Sequence, residues 1–128
     1  MANDYTTRDL VLLGYKAFGG SIRGKTMLQK RMYFLSVFLK ADLGYGAHYY
    51  GPYSSAVATA NVELKSLGFL DESSSTWGVD HRGFEMARYD YSLTEDGRAA
   101  AESKANKYPE LWQRIERAAE AIDRKSVV

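Results

Sequence analysis

The sequence predicts an α+β fold, mainly helical with one small β-hairpin. Apolar residues recur at three- and four-residue intervals over most of the chain, and the period drops to two between Phe84 and Leu93. Capping residues and glycines stand where one pattern gives way to the next. The chain has 128 residues, enough for one real core.

A first helix is expected over about Thr7 to Phe18. Thr6 or Thr7 caps it, and Leu10, Val11, Leu13 and Ala17 face inward. Gly19-Gly20 ends it, and Ser21 to Gly24 is short enough to be a small strand. A second helix, about Lys25 to Ala41, carries one stripe of Leu28, Met32, Leu35 and Leu39 and another of Met27, Phe34 and Phe38. That breadth predicts burial on most sides toward its C-terminal half, while Gln29, Lys30 and Arg31 keep the early turns at solvent.

Leu43 to Pro52, with its glycines and proline, reads as a connector. A third helix opens after Tyr53, with Ser54 as its cap and Val57, Ala60, Leu64 and Leu67 inward, and Gly68 closes it. Phe69-Leu70-Asp71 begins a strand, Ser73 to Gly83 reads as a mobile polar turn, and Phe84 to Leu93 returns. In the return Met86, Arg88, Asp90 and Ser92 alternate with Ala87, Tyr89, Tyr91 and Leu93. Thr94 caps a fourth helix with Glu95 and Asp96 in its first turn, where the helix dipole favours negative charge. Pro109 opens a fifth, whose apolar face holds Leu111, Trp112, Ile115, Ala118, Ala119 and Ile122. On its solvent side Glu110 with Arg114, and Glu120 with Arg124, have ion-pair spacing.

This element order is that of a winged helix-turn-helix domain over residues 1–105 with a C-terminal helical extension over 106–128. The extension is expected to pack on the domain or to form a homodimer interface through Leu111, Trp112, Ile115, Ala119 and Ile122.

Three segments carry a family resemblance. Lys25-Thr26-Met27-Leu28-Gln29-Lys30 with Tyr33-Phe34-Leu35, then Tyr49-Tyr50-Gly51-Pro52-Tyr53-Ser54, resemble the YwgA-like winged-helix proteins and, more distantly, the Panacea domain of SocA-type antitoxins. Tyr91-Ser92-Leu93-Thr94-Glu95-Asp96-Gly97-Arg98 is similar to the strand-to-helix junction of many winged-helix regulators. The resemblance implies a winged-helix fold and a regulatory or interaction role without enzyme activity. Met27 departs from it, standing where lysine is frequent.

Composition narrows the function classes. Cysteine is absent, which removes disulfides, thiolate metal sites and cysteine nucleophiles. Met1 to Thr7 lacks the apolar core of a signal peptide, and Met32 to Leu39 is too short to span a bilayer, so a cytoplasmic protein is expected. His48 and His81 lie far apart, and Asp71, Glu72, Asp80 and Glu85 show no metal-ligand spacing. The Ser73 to Ser75 run has no nucleophile-elbow context, and Gly44-Tyr45-Gly46 lacks the setting of a nucleotide loop. No catalytic residue, metal or cofactor is therefore expected.

Seventeen Lys and Arg stand against sixteen Asp and Glu, a net charge of +1. Any binding of double-stranded DNA must then come from uneven placement of charge. The third helix would present Ser55, Ala58, Thr59 and Val62, with Asn61 at the edge, to the major groove. Arg23, Lys25, Lys30 and Arg31 around the start of the second helix, and His81, Arg82 and Arg88 on the wing, would meet phosphates. The expected DNA-binding set is Arg23, Lys25, Lys30, Ser54, Ser55, Thr59, Asn61, Arg82 and Arg88. The alternative is a protein-interaction module of the antitoxin or adaptor type, using the same mild outer face. Tyr45, Tyr49, Tyr50 and Tyr53 have the composition of a stacking platform but lack interleaved cations, so they are expected to pack the connector onto the core.

Overall fold

A computed structural model describes residues 5–48, 51–79, 81–83 and 85–127. The elements are α1 (Thr7–Ala17), β1 (Ser21–Arg23), α2 (Lys25–Leu39), β2 (Gly46–His48), β3 (Gly51–Tyr53), α3 (Ser55–Ser66), β4 (Leu70–Val79), β5 (Glu85–Leu93), α4 (Glu95–Lys107) and α5 (Pro109–Val127). The architecture is mixed α and β. One antiparallel sheet has the order β1-β5-β4, and β2 pairs with β3 in a separate ribbon. Among the described residues no helix is long and apolar enough to cross a membrane.

α1 is the central helix. Thr6 and Asp9 close a reciprocal capping box, Asp9 N–H to Thr6 Oγ1 at 3.1 Å and Thr6 N–H to Asp9 Oδ2 at 3.2 Å. Every residue from Leu10 to Tyr15 is buried, because helices or strands pack against α1 on all sides. The other oxygen of Asp9 meets Lys104 Nζ at 3.2 Å, tying α4 to the start of α1. At the sheet-to-α4 junction Thr94 Oγ1 accepts from Gly97 N–H at 2.9 Å and donates to Gly68 O at 2.6 Å. A Cβ on Gly97 would collide with the Phe69 carbonyl, so only glycine allows this approach.

The structure revises several local expectations. The connector holds the β2–β3 ribbon, with Ala47 opposite Pro52. The Ser-rich stretch after Asp71 is strand as far as Val79, paired in register to Thr76 opposite Ala87 with an irregularity beyond. Its side chains from Asp71 to Thr76 are exposed on both faces, which removes the alternation by which a strand is read. On α2 the second stripe is not buried: Met27, Phe34, Val37 and Phe38 are 40 to 56% exposed. Among the described residues that flank is left uncovered, while α1, α3 and α5 pack against α2, whose Leu28, Met32, Leu35 and Leu39 are buried. Gln29, expected at solvent, is buried, and Leu67, expected inward, is 51% exposed as the C-cap of α3.

α5 lies against α1 and α2 of its own chain. Leu111, Ile115, Ala119 and Ile122 are buried there, and Trp112 is half-buried with Lys16 Nζ 5.2 Å from its ring centre. The face expected to join two copies is therefore occupied within one chain. Arg114 does not pair with Glu110; its guanidinium donates to Leu39 O at 3.1 Å, satisfying a carbonyl at the end of α2. The Arg124 side chain, Tyr49, Tyr50, Asp80 and Phe84 lie outside the described residues.

Candidate nucleic-acid interface

The position of α3 is set by a clamp between two segments distant in sequence. The Gln29 amide donates to Ser54 O at 3.1 Å and accepts from Ser54 N–H at 3.0 Å. Ser54 Oγ accepts from Val57 N–H at 3.1 Å, capping α3, and donates to Leu43 O. The Tyr45 hydroxyl donates to Gln29 O at 2.9 Å, and its ring packs edge-on to Tyr33 at 5.3 Å. Burial pushes the Tyr45 hydroxyl pKa well above the usual phenol range, so it remains a donor even in alkaline solution. Through these bonds α2, the connector and the start of α3 hold one geometry. Tyr45 packs the connector onto the core as expected, whereas Tyr53 is 40% exposed.

Ser54 and Asn61 leave the DNA-facing set for that reason. Ser54 is completely buried by its capping bonds, and Asn61 is 6% exposed, its Oδ1 accepting from the buried Tyr15 hydroxyl at 2.6 Å. The helical stripe expected to run through Leu67 runs through Asn61 instead. Tyr15 supplies the hydrogen bond that makes a polar residue tolerable there. Ser55 and Thr59 remain exposed, as does Val62.

The cations expected to meet phosphates are largely brought together. Arg23, Gly24, Lys25, Thr26, Met27, Lys30, Ala87, Arg88 and Tyr89 line one shallow depression where β1 turns into α2 beside β5. Gly24 makes that turn with φ at 91°, the left-handed region in which a side chain would be strained. As the N-cap it offers no side-chain bond, and the first turn of α2 carries no acid. Lys25 Nζ rests 4.4 Å from the Tyr89 ring centre. Arg88 Nε pairs with Asp90 Oδ1 at 3.1 Å. Strand pairing places Arg23 opposite that same Asp90.

Arg82 and His81 are exposed in the turn of the hairpin and do not line the depression. Arg31 is drawn elsewhere, 4.7 Å from the Phe18 ring centre. Among the described residues no group of His, Asp and Glu could hold a metal ion.

A second cleft, of about 380 Å³, opens beside the depression, between α2, β3, α3 and the sheet. Lys25 and Thr26 line both hollows, and Ala58 and Val62 from the outer side of α3 line the cleft. The α3 face and the cation cluster are thus contiguous. The cations are legible in the sequence; of the connector tyrosines Tyr53 lines the cleft, but most of its wall is not foreseeable. Its members come from widely separated segments, and no local pattern announces it.

Over 81 residues the chain is 37% identical to a protein of Bacillus subtilis (strain 168) described as "Uncharacterized protein YwgA". The match takes in 62% of this chain and 45% of that protein, so it spans less than half of the relative. It supports a YwgA-like relationship, and that protein's description assigns no activity. No family model and no solved structure matches the chain.

Proposed function

We propose that the chain is a winged helix-turn-helix regulator that binds double-stranded DNA, with α2 and α3 as the helix pair and the β4–β5 hairpin as the wing. The sheet order β1-β5-β4 and the succession of elements support the fold reading. One observation carries the DNA reading: Arg23, Lys25, Lys30 and Arg88 gather on one depression that adjoins the exposed side of α3. Phosphates would sit against this cluster and the uncapped start of α2, while Ser55 and Thr59 would lie toward base edges. Small side chains allow close approach, but no Arg or Lys on the first two turns of α3 is present to read guanine. Shape and backbone contacts would then dominate, and salt sensitivity would be steep.

Fluorescence anisotropy with a duplex from the upstream region of the chain's own gene tests this. If these side chains neutralise about four phosphates, log K falls with log salt at a slope of about −3.6. Lys30→Ala and Arg88→Ala should each lower that slope by about one. Binding that ignores both substitutions removes the proposed roles.

A protein-interaction module remains the second reading, favoured by the exposed Met27, Phe34, Val37 and Phe38 flank of α2 rather than by α3. Loss of a stoichiometric partner in Phe34→Ser/Phe38→Ser, with DNA binding intact or absent, would select it.

A further inference from the structure

We propose that the cleft between α2, β3, α3 and the sheet is a binding site for a small monocarboxylate with a flat apolar body. The inference rests on the cleft alone and stands whether or not the chain binds DNA.

At about 380 Å³ the cleft falls within the range of ordinary small-molecule sites, about 300–1,000 Å³. Leu28, Pro52, Ala58 and Val62 give it apolar walls suited to a ring. Its polar groups are few and differ in how they are engaged. Gln29 lines the cleft, but both ends of its amide are consumed by Ser54.

Asn61 is different. It lines the cleft, it is 6% exposed, and Tyr15 occupies only its Oδ1. With Oδ1 accepting from Tyr15, the amide nitrogen is the end of the Asn61 side chain that can donate to a molecule entering the cleft. Such a donor selects a ligand carrying an acceptor oxygen.

Charge at the mouth sets the sign and limits the amount. Lys25 and Lys65 both line the cleft. Lys65 Nζ is engaged by Glu72 Oε1 at 2.8 Å, and this hydrogen bond holds the Glu72 carboxyl below its ordinary pKa. Glu72 is thus ionised at neutral pH and leaves about one positive charge unbalanced, that of Lys25. Tyr91, also lining the cleft, is uncharged at neutral pH like any phenol, and burial, then its hydrogen bond to Glu72, raise its hydroxyl pKa further. One anionic end is matched by Lys25, whereas a phosphate dianion or dicarboxylate would bring a second negative charge that no lining cation balances. The chemistry that fits is a single carboxylate at Lys25, a ring on the apolar walls and an acceptor oxygen at Asn61.

Nitrogen–proton correlation spectra of the full chain, titrated with 2-naphthoate and with its neutral counterpart 2-naphthamide, test this. Saturable shifts at the Ala58, Asn61 and Val62 amides are expected with 2-naphthoate, and 2-naphthamide should bind about tenfold more weakly. Lys25→Ala should bring 2-naphthoate close to the 2-naphthamide affinity while leaving the amide unaffected. Val62→Trp, at an exposed position, should fill the cleft and abolish both. Absence of saturable shifts, equal affinity of the two probes in the wild type, or unchanged binding to Val62→Trp would each overturn the proposal.

Discussion

The Tyr15 hydroxyl and Asn61 Oδ1 meet in the interior at 2.6 Å, 46 positions apart in sequence. Each satisfies the other's polar atom there, where leaving one unpaired costs more than the bond itself returns. Tyr15→Phe should therefore destabilise the protein by about 1–3 kcal/mol in urea unfolding, through the stranded Asn61 oxygen rather than through lost volume. A cost near zero would mean that water replaces the phenol.

Titration adds a second prediction at the same scale. Burial raises the hydroxyl pKa of Tyr15, Tyr45 and Tyr91 above the unfolded value of about 10. Below that value both folded and unfolded states are protonated and stability is unaffected. Above it the unfolded chain releases protons that the folded one retains, so stability falls as pH rises. Alkaline unfolding followed by tyrosinate absorbance should begin above about pH 10, with ionisation and unfolding cooperative.

Among the elements, α2 and the α3–β4–β5–α4 path show how sequence pattern and neighbourhood divide the work. The helices were legible because caps and periodicity are local. Thr6, Ser54 and Thr94 each accept a backbone N–H at the helix starts, and Gly68 and Pro109 lie at helix ends. The two stripes of α2 look alike in sequence, and only the placement of α1, α3 and α5 makes one of them core. Phe34→Ser and Phe38→Ser should consequently change stability by no more than about 0.5 kcal/mol, whereas Met32→Ala should cost about 2–5 kcal/mol. Equal losses would mean that the Phe flank is covered after all. Gly97→Ala should cost about 1–3 kcal/mol, because its methyl group must displace the Phe69 backbone and thereby the β4–α4 junction.

At the scale of the whole molecule, α5 decides what surface is left for partners. Its apolar stripe has the pattern of a dimer helix, yet Ile115 is fully buried against the same chain. Ile115→Asp should lower the melting temperature by the same large amount at every protein concentration; a dimer helix would make the loss concentration-dependent. With α5 folded back, the exposed surfaces of interest are the α3 side with its cation cluster and the Phe flank of α2. The proposed DNA binding would use the first of these, and a protein partner, in the second reading, the other.

The helices, their caps, the β5 alternation and the cations follow from local pattern, because each is written in residues within a turn or two of one another. That Gln29 grips Ser54, that Asn61 is core, that one stripe of α2 stays bare, and that Arg23, Lys25, Lys30 and Arg88 share a hollow came from the packing of the chain. Those outcomes depend on which distant segments meet. A one-dimensional period fixes the faces of an element but not the neighbour each face will find.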